Sequence, residues 1–148
     1  MDHQWGYFTT FDGAGWDWYA FQLSDGTDVM LYVVPGAGDS PAYLDGSIVS
    51  PSGELTVLEA EDFTITPTGT WTSPESGIEY PSSWQVDVPR VDLSLTVMPT
   101  IVDQEMDTSA TTGVIYWEGA VEISGSHADS PVTGLGYVEL TGYGGRSE

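Results

Sequence analysis

Residues 16–34 read WDWYAFQLSDGTDVMLYVV. Two runs rich in aromatic and β-branched residues, Trp16–Leu23 and Asp28–Val34, flank Ser24–Thr27, with Asp25-Gly26 inside the break. Such residues suit a pleated, half-buried surface, and an Asp-Gly step between two such runs is a turn signal. The stretch therefore predicts a β-hairpin.

The pattern repeats outward. His3–Phe11, Tyr43–Val49, Asp62–Thr66, Trp84–Val88, Asp92–Met98, Gly113–Ser124 and Thr133–Thr141 are further candidate strands, separated by clusters such as Pro35-Gly36-Ala37-Gly38 and Pro51-Ser52-Gly53. No window carries a 3.6-residue apolar stripe, so helix is minor. About nine short strands with frequent turns and no α crossovers predict an antiparallel sandwich or a closed barrel. Alternation is clear in two runs. Leu93, Leu95 and Val97 oppose Asp92, Ser94 and Thr96. Likewise Ile115, Trp117, Val121 and Ile123 oppose Tyr116, Glu118 and Glu122. One face is apolar and the other is wet or lines a polar site; a sandwich and a barrel satisfy this equally.

At 148 residues the chain is expected to be one domain, 1–148, able to bury a sizeable core. Six Trp, eight Tyr and four Phe argue against a disordered tail. No apolar run reaches the roughly 20 residues of a membrane span, and no basic-then-apolar signal segment opens the sequence. Cys is absent, which excludes disulfides, zinc–thiolate sites and Cys nucleophiles.

The charge is lopsided: two Lys+Arg, both of them arginines, against 23 Asp+Glu give a formal charge of −21. A chain of this charge repels phosphate backbones and anionic headgroups, so neither nucleic acid nor stable membrane insertion is an expected partnership. Self-repulsion on this scale destabilises the compact state until salt screens it, and the Debye length shrinks from about 10 Å at 0.1 M to about 3 Å at 1 M. Adaptation to a salty interior or medium, as in halophiles, is the expectation, with a merely acidic secreted or mesophilic protein as the alternative reading.

The motifs of nucleophile-elbow hydrolases, zinc proteases, phosphate loops and EF-hands are all missing. With only His3 and His127, no multi-His metal site can be assembled, and no carboxylate spacing specifies Ca²⁺. What remains is a set of polar groups among aromatics: Asp2-His3-Gln4-Trp5, Trp16-Asp17-Trp18, Gln104-Glu105, Tyr116-Trp117-Glu118 and Tyr137-Val138-Glu139. A carboxyl held against indoles can act as an acid near neutral pH, and aromatic faces can stabilise a developing carbocation. Core packing for the aromatics and a solvated face for the acids are the competing reading. His127, inside Gly125-Ser126-His127-Ala128-Asp129, is expected in a turn, and Arg90 in a surface ion pair.

In order along the chain, DHQW (2–5), GWDWYAFQLSDG (15–26), WTSPESGIEYPSSWQVDVP (71–89), YWEGAVEISG (116–125) and GYVELTGY (136–143) resemble the second half of the hydroxyneurosporene synthase (carotenoid 1,2-hydratase)-like family. That family includes bacterial AttH-type proteins described as secreted hydrolases, and is similar more distantly to fungal pericyclases that form decalins. The resemblance implies a lipocalin-like, antiparallel up-and-down β-barrel of about eight or nine strands, matching the second of two such domains. A ligand pocket in the barrel or between the two domains goes with it. The first motif lies mid-chain in the family, so a second lipocalin-like domain or a homodimer partner is expected to complete the pocket.

By motif, Asp2, His3 and Trp5 match the family's DHxW segment, Trp16 and Trp18 its GWDW strand, and Tyr116, Trp117 and Glu118 its YWEG strand. The reading that follows is a hydrophobic small-molecule site, terpenoid- or carotenoid-like. Asp2, His3 and Glu118 are the candidate catalytic groups, and Trp5, Trp16, Trp18, Tyr116, Trp117 and Tyr137 the candidate ligand contacts. No metal and no cofactor are implied. Cofactor-free hydration of an isolated C=C bond, a lyase reaction, is the first activity; a non-catalytic binding module and a pericyclase acting by shape are the alternatives.

The charge arithmetic makes one prediction. In circular dichroism the unfolding midpoint should rise steeply between 0.1 M and 2 M NaCl; equal midpoints at both salts would show that self-repulsion does not limit this fold.

Overall fold

The computed structural model describes residues 15–36 and 42–145. Ten strands follow one another: β1 (Asp17–Leu23), β2 (Asp28–Val34), β3 (Tyr43–Val49), β4 (Leu55–Leu58), β5 (Thr64–Thr72), β6 (Glu79–Val88), β7 (Leu93–Pro99), β8 (Glu105–Asp107), β9 (Ile115–His127) and β10 (Ser130–Leu140). Helix is confined to two 3-10 turns, Pro89–Val91 and Tyr143–Gly145. The fold is thus all-β, antiparallel and lipocalin-like, as the sequence predicts.

The opening hairpin forms as expected, with Asp17 opposite Val33 and Gln22 opposite Asp28. Its turn is closed by Leu23 N–H donating to Thr27 O at 2.9 Å and by Thr27 N–H donating to Asp25 Oδ1 at 2.9 Å. Gly26 supplies the positive φ of 87° that the turn requires. At the β9–β10 connection Ala128 and Asp129 both take positive φ, the geometry of a two-residue hairpin matched to strand twist. The candidate strand His3–Phe11 lies outside the described residues.

All strands but β8 form one hydrogen-bonded path in the order β4-β3-β2-β1-β10-β9-β7-β6-β5, and β8 pairs with β9 beside it. Every pairing is antiparallel. This parity decides the shape. Eight antiparallel steps along nine strands leave the two edges, β4 and β5, pointing the same way. Only residues 59–63 join them, whereas a parallel pair needs a crossover of about a dozen residues. Among the described residues the ladder therefore stops at these edges, and their strands form a curled half-barrel.

Both edges are blunted. β4 is four residues long, and β5 carries Pro67 with register shifts on either side of Gly69. Either feature discourages pairing with another chain. Beside β4, Arg90 donates to the Val57 carbonyl at 3.4 Å and to Asp62 at 3.1 Å, the surface ion pair expected of it.

The concave face is packed solid. Trp84 of β6, Trp117 of β9 and Tyr80 of β6 are fully buried, with Phe21, Leu31, Leu95, Val97, Val121, Val138 and Leu140 filling the space between. Trp84 sits edge-on to Tyr19 (centroids 5.8 Å, 83°) and tilted on Trp117 (6.3 Å, 59°). Each such side chain contributes roughly 1.5–3 kcal/mol of burial energy. Among the described residues, these buried side chains fill the concave face.

Gly119 and Gly125 are among the glycines required by close approach rather than by φ. A Cβ on Gly119 would enter the Gln104 side-chain amide, and one on Gly125 would enter the backbone carbonyl of Ser94 on β7. Gln104 continues the ladder where β8 has ended. Its Nε2 donates to Ile101 O (2.7 Å) and Ala120 O (3.2 Å), and its Oε1 accepts from Ala120 N–H (2.9 Å). Gly119→Ala should cost about 1–2 kcal/mol by expelling this amide, and Gly125→Ala more, because a backbone carbonyl cannot swing away. Chemical denaturation checks both. The Gly119→Ala cost should shrink in a Gln104→Ala background, and an unchanged cost would overturn the latch.

Candidate functional site

Side chains alternate across a strand, so the packed interior assigns the other face of the sheet to solvent and ligands. Register arranges that convex face in rows running across the strands. One row is Asp45, Tyr32, Trp18, Glu139 and Glu118, from β3 through β2, β1 and β10 to β9. The next, two residues along each strand, is Val57, Ser47, Met30, Ala20, Tyr137 and Ala120. A third brings Val49, Asp28, Gln22, Leu135, Glu122 and Met98 together.

The middle row explains the relief. Ser47 and Ala20 are too small to fill the space between the larger side chains on either side. A trough of about 520 Å³ results, lined by Trp18, Ala20, Met30, Ser47, Leu135 and Tyr137 among others. A second recess of about 650 Å³ adjoins it over β1, β10, β9 and β7, sharing Gln22 and Leu135. At the first recess Trp18 and Tyr137 meet edge to face, centroids 5.3 Å apart at 83°, forming an aromatic corner.

The acid row borders that corner. Glu139 and Glu118 are directly opposed on adjacent strands, an arrangement that like charges disfavour. The phenols around them respond. Tyr116 is pushed above the usual tyrosine range by burial first, then by the charges of Glu118 and Glu139 and by a hydrogen bond to Glu118. Tyr32 is raised by burial, then by Glu139 and Tyr43. Tyr43 donates its hydroxyl to Asp45 Oδ2 at 3.1 Å, and that bond raises it. All three phenols therefore keep their protons at neutral pH and can donate hydrogen bonds.

The sequence-predicted residues divide. Trp18, Tyr116, Glu118 and Tyr137 lie half-buried on the convex face; Trp18 and Tyr137 line the trough, while Tyr116 and Glu118 stand outside its lining, on β9. Trp117, between two of them in sequence, points the opposite way. It is 1% exposed in the core and donates its indole N–H to Val102 O at 2.8 Å. Trp16 is half-buried just before β1, where its N–H donates to Thr141 Oγ1 at 2.7 Å and ties the start of β1 to the end of β10. Asp2, His3 and Trp5 lie outside the described residues.

Three polar arrangements were not legible from the motifs. Glu105 accepts hydrogen bonds from Ser73 and Ser76, both at 2.7 Å, and fastens β8 to the β5–β6 turn. It also faces the buried Tyr80 hydroxyl, which makes no hydrogen bond of regular geometry. Burial first, and Glu105 second, push that phenol far up. At the same end Tyr143 donates its hydroxyl to buried Asp17 at 2.9 Å. At the opposite end His127 Nδ1 lies 2.7 Å from Asp25 Oδ2, bridging the β9–β10 and β1–β2 turns. Burial raises Asp25, but the bonds to His127 and Thr27 outweigh it and hold the carboxyl below its ordinary value. Among the described residues no three potential metal ligands cluster.

The comparisons with known proteins fit this architecture. The AttH-like family model matches residues 1–143. The chain belongs to the AttH-like family. Among solved structures, an AttH-type protein of Nitrosomonas europaea superposes with a TM-score of 0.79 at 32% identity, covering 93% of this chain and 41% of its own. Kievitone hydratase of Nectria haematococca superposes with a TM-score of 0.72 at 21% identity, covering 86% of this chain and 39% of its own; that likeness shows the fold. No curated protein matches the sequence significantly. This AttH-like chain thus spans about two-fifths of the length of the solved neighbours it matches. No described helix is long and apolar enough to cross a membrane.

The acid row can be read out directly. By NMR of tyrosine labelled with ¹³C at Cζ, Glu139→Gln should lower the pKa of both Tyr32 and Tyr116, because a nearby negative charge opposes phenolate formation. Glu118→Gln should lower only Tyr116. Unmoved phenols in both variants would dissolve the row as an electrostatic unit.

Proposed function

We propose that this AttH-like domain binds a hydrophobic small molecule, terpenoid- or carotenoid-like, in the convex trough, and hydrates an isolated C=C bond of it without a cofactor. The observation that supports the reading best is the juxtaposition of an apolar trough with a row of carboxyls and phenols at its aromatic corner. Hydratase is also the activity for which the Nectria haematococca neighbour is named.

In this scheme Glu118, in its acid form, delivers a proton to the less substituted alkene carbon. The π electrons form that C–H bond and leave a tertiary cation, which the faces of Trp18, Tyr116 and Tyr137 stabilise. A water held by the phenol–carboxylate row attacks the cation, and its surplus proton returns to the Glu118 carboxylate. The sum is alkene plus water to tertiary alcohol. General acid catalysis of this kind contributes about 10²–10⁴-fold, the remainder coming from preorganised charges around the cation. Asp2 and His3 are proposed as further acid groups, and Trp5 and Trp16 as supports of the aromatic surface. A second lipocalin-like domain or a second copy of the chain would roof the trough.

The experiment offers lycopene or neurosporene to the protein and looks for a product heavier by one water, carrying ¹⁸O when H₂¹⁸O is used. Glu118→Gln should lower turnover by at least about 10²-fold while tryptophan-fluorescence titration still detects binding. Binding without turnover in the unaltered protein would favour a non-catalytic binding module. Turnover to a cyclised product that survives Glu118→Gln, Asp2→Ala and His3→Ala would favour catalysis by shape. Neither binding nor turnover would overturn the proposal.

A further inference from the structure

We propose that the second recess, over β1, β10, β9 and β7, binds an uncharged sugar, a pyranose ring with adjacent hydroxyl groups. This site goes beyond the proposed hydration and uses none of the groups to which that reaction is assigned.

Two cross-strand rows shape the recess of about 650 Å³. In the first, Glu122 of β9 stands between Met98, its partner on β7, and Leu135, its partner on β10. Met98 is 52% and Leu135 67% exposed, so an aliphatic side chain rises on either side of one carboxylate. Gln22 of β1 follows Leu135 and ends the row with an amide. In the second row, two residues along each strand, Ser124 is opposite Thr133 of β10, and Thr96 continues the row onto β7. Ser24 adjoins Thr133, its Oγ accepting from the Thr133 N–H at 3.1 Å. No member of this second row is charged, in a chain with 23 Asp+Glu. Among the described residues, the side chains of Gln22, Glu122, Ser124 and Thr133 make no hydrogen bond to the protein, which leaves them to a guest.

A pyranose meets each of these groups. Its hydroxyls both donate and accept, so serine, threonine and glutamine side chains match them in either sense. A carboxylate accepts from two adjacent hydroxyls of one ring, and charge-assisted bonds of this kind are roughly twice as strong as neutral ones. The ring C–H groups lie against Met98 and Leu135, giving apolar walls with a few placed polar groups. Neighbouring strands are about 4.8 Å apart and successive side chains on one face about 6.7 Å apart, so one six-membered ring with its hydroxyls reaches both rows. A purely apolar guest would instead bury Glu122 and the hydroxyl row without partners.

The test labels the methionine methyl groups of the full chain with ¹³C and titrates it, by NMR, with the methyl glycosides of glucose, galactose, mannose and xylose. Circular dichroism confirms the fold at 0.2 M and 2 M NaCl. At least one glycoside should shift the Met98 signal to saturation while Met106, on β8, stays in place. Its affinity should change less than about twofold between the two salts, because the guest carries no charge. Tetrahydropyran, the ring without hydroxyls, should leave Met98 unmoved. Glu122→Gln should weaken binding about tenfold and Ser124→Ala about threefold, both at exposed positions. Asp129→Asn, in the β9–β10 turn, should change nothing. Phenyl glycosides separate the two sources of such a sugar. A shift of Met30, which lines the neighbouring trough, would identify the head of a larger glycoside, and a shift of Met98 alone a free saccharide. A Met98 signal unmoved by all the sugars, moved as far by tetrahydropyran, or equally responsive in Glu122→Gln would overturn the proposal. None of these results touches the hydration reading, which stands or falls on its own titration.

Discussion

Trp84 holds the interior together. It is wedged between Tyr19 of β1 and Trp117 of β9, three strands that the sheet path keeps well apart. Rings of that size can meet only if the sheet curls, so the aromatic packing and the half-barrel are one constraint seen twice. It also fixes where function can reside. The described concave face is filled with buried indole, phenol and aliphatic side chains, and the polar side chains that alternation places opposite those rings are turned outward. The packing that closes the inside makes the outside the surface available for recognition.

Strand parity acts in the same direction. The nine described strands of the path cannot close on one another as an antiparallel ladder, and the five residues between β4 and β5 are too few for the parallel alternative. The curled sheet keeps two edges, one short and one broken by Pro67 and register shifts. Connection length and strand number, rather than any weakness of the core, account for the open architecture. The convex trough is a separate consequence, set by the small residues Ala20 and Ser47 in one cross-strand row.

Much of this was legible in the chain. The hairpin in residues 16–34 and the alternation in Asp92–Met98 announced antiparallel sheet, and β3 occupies the predicted residues. β4 and β8 escaped because runs of four and three residues carry no period. β6 begins five residues before the predicted start, because Pro81-Ser82-Ser83 reads as loop while its backbone pairs with β5. The site was harder. Tyr116, Trp117 and Glu118 read as one cluster, yet adjacent strand residues face opposite ways, and the same alternation that identified the strand sends Trp117 to the core. The Asp25–His127 and Glu105–Ser73 contacts join positions 102 and 32 apart, and no local pattern encodes such distances.

The acidity of the chain bears on both stability and recognition. Twenty-three carboxyl groups against two arginines make the protein's own field a large obstacle to folding at low salt. On the convex face the same excess has a local consequence. Glu118 and Glu139 stand opposed across neighbouring strands, a placement that adds repulsion to an already overcharged surface. A solvated face gains nothing from such a pair, and an inert sheet would be more stable with either position neutral. Set beside an indole, three half-buried phenols and a trough, the pair is understandable as a cost sustained for what it holds. Positive charge developing at an aromatic corner is the physical demand that the proposed hydration would place on this arrangement.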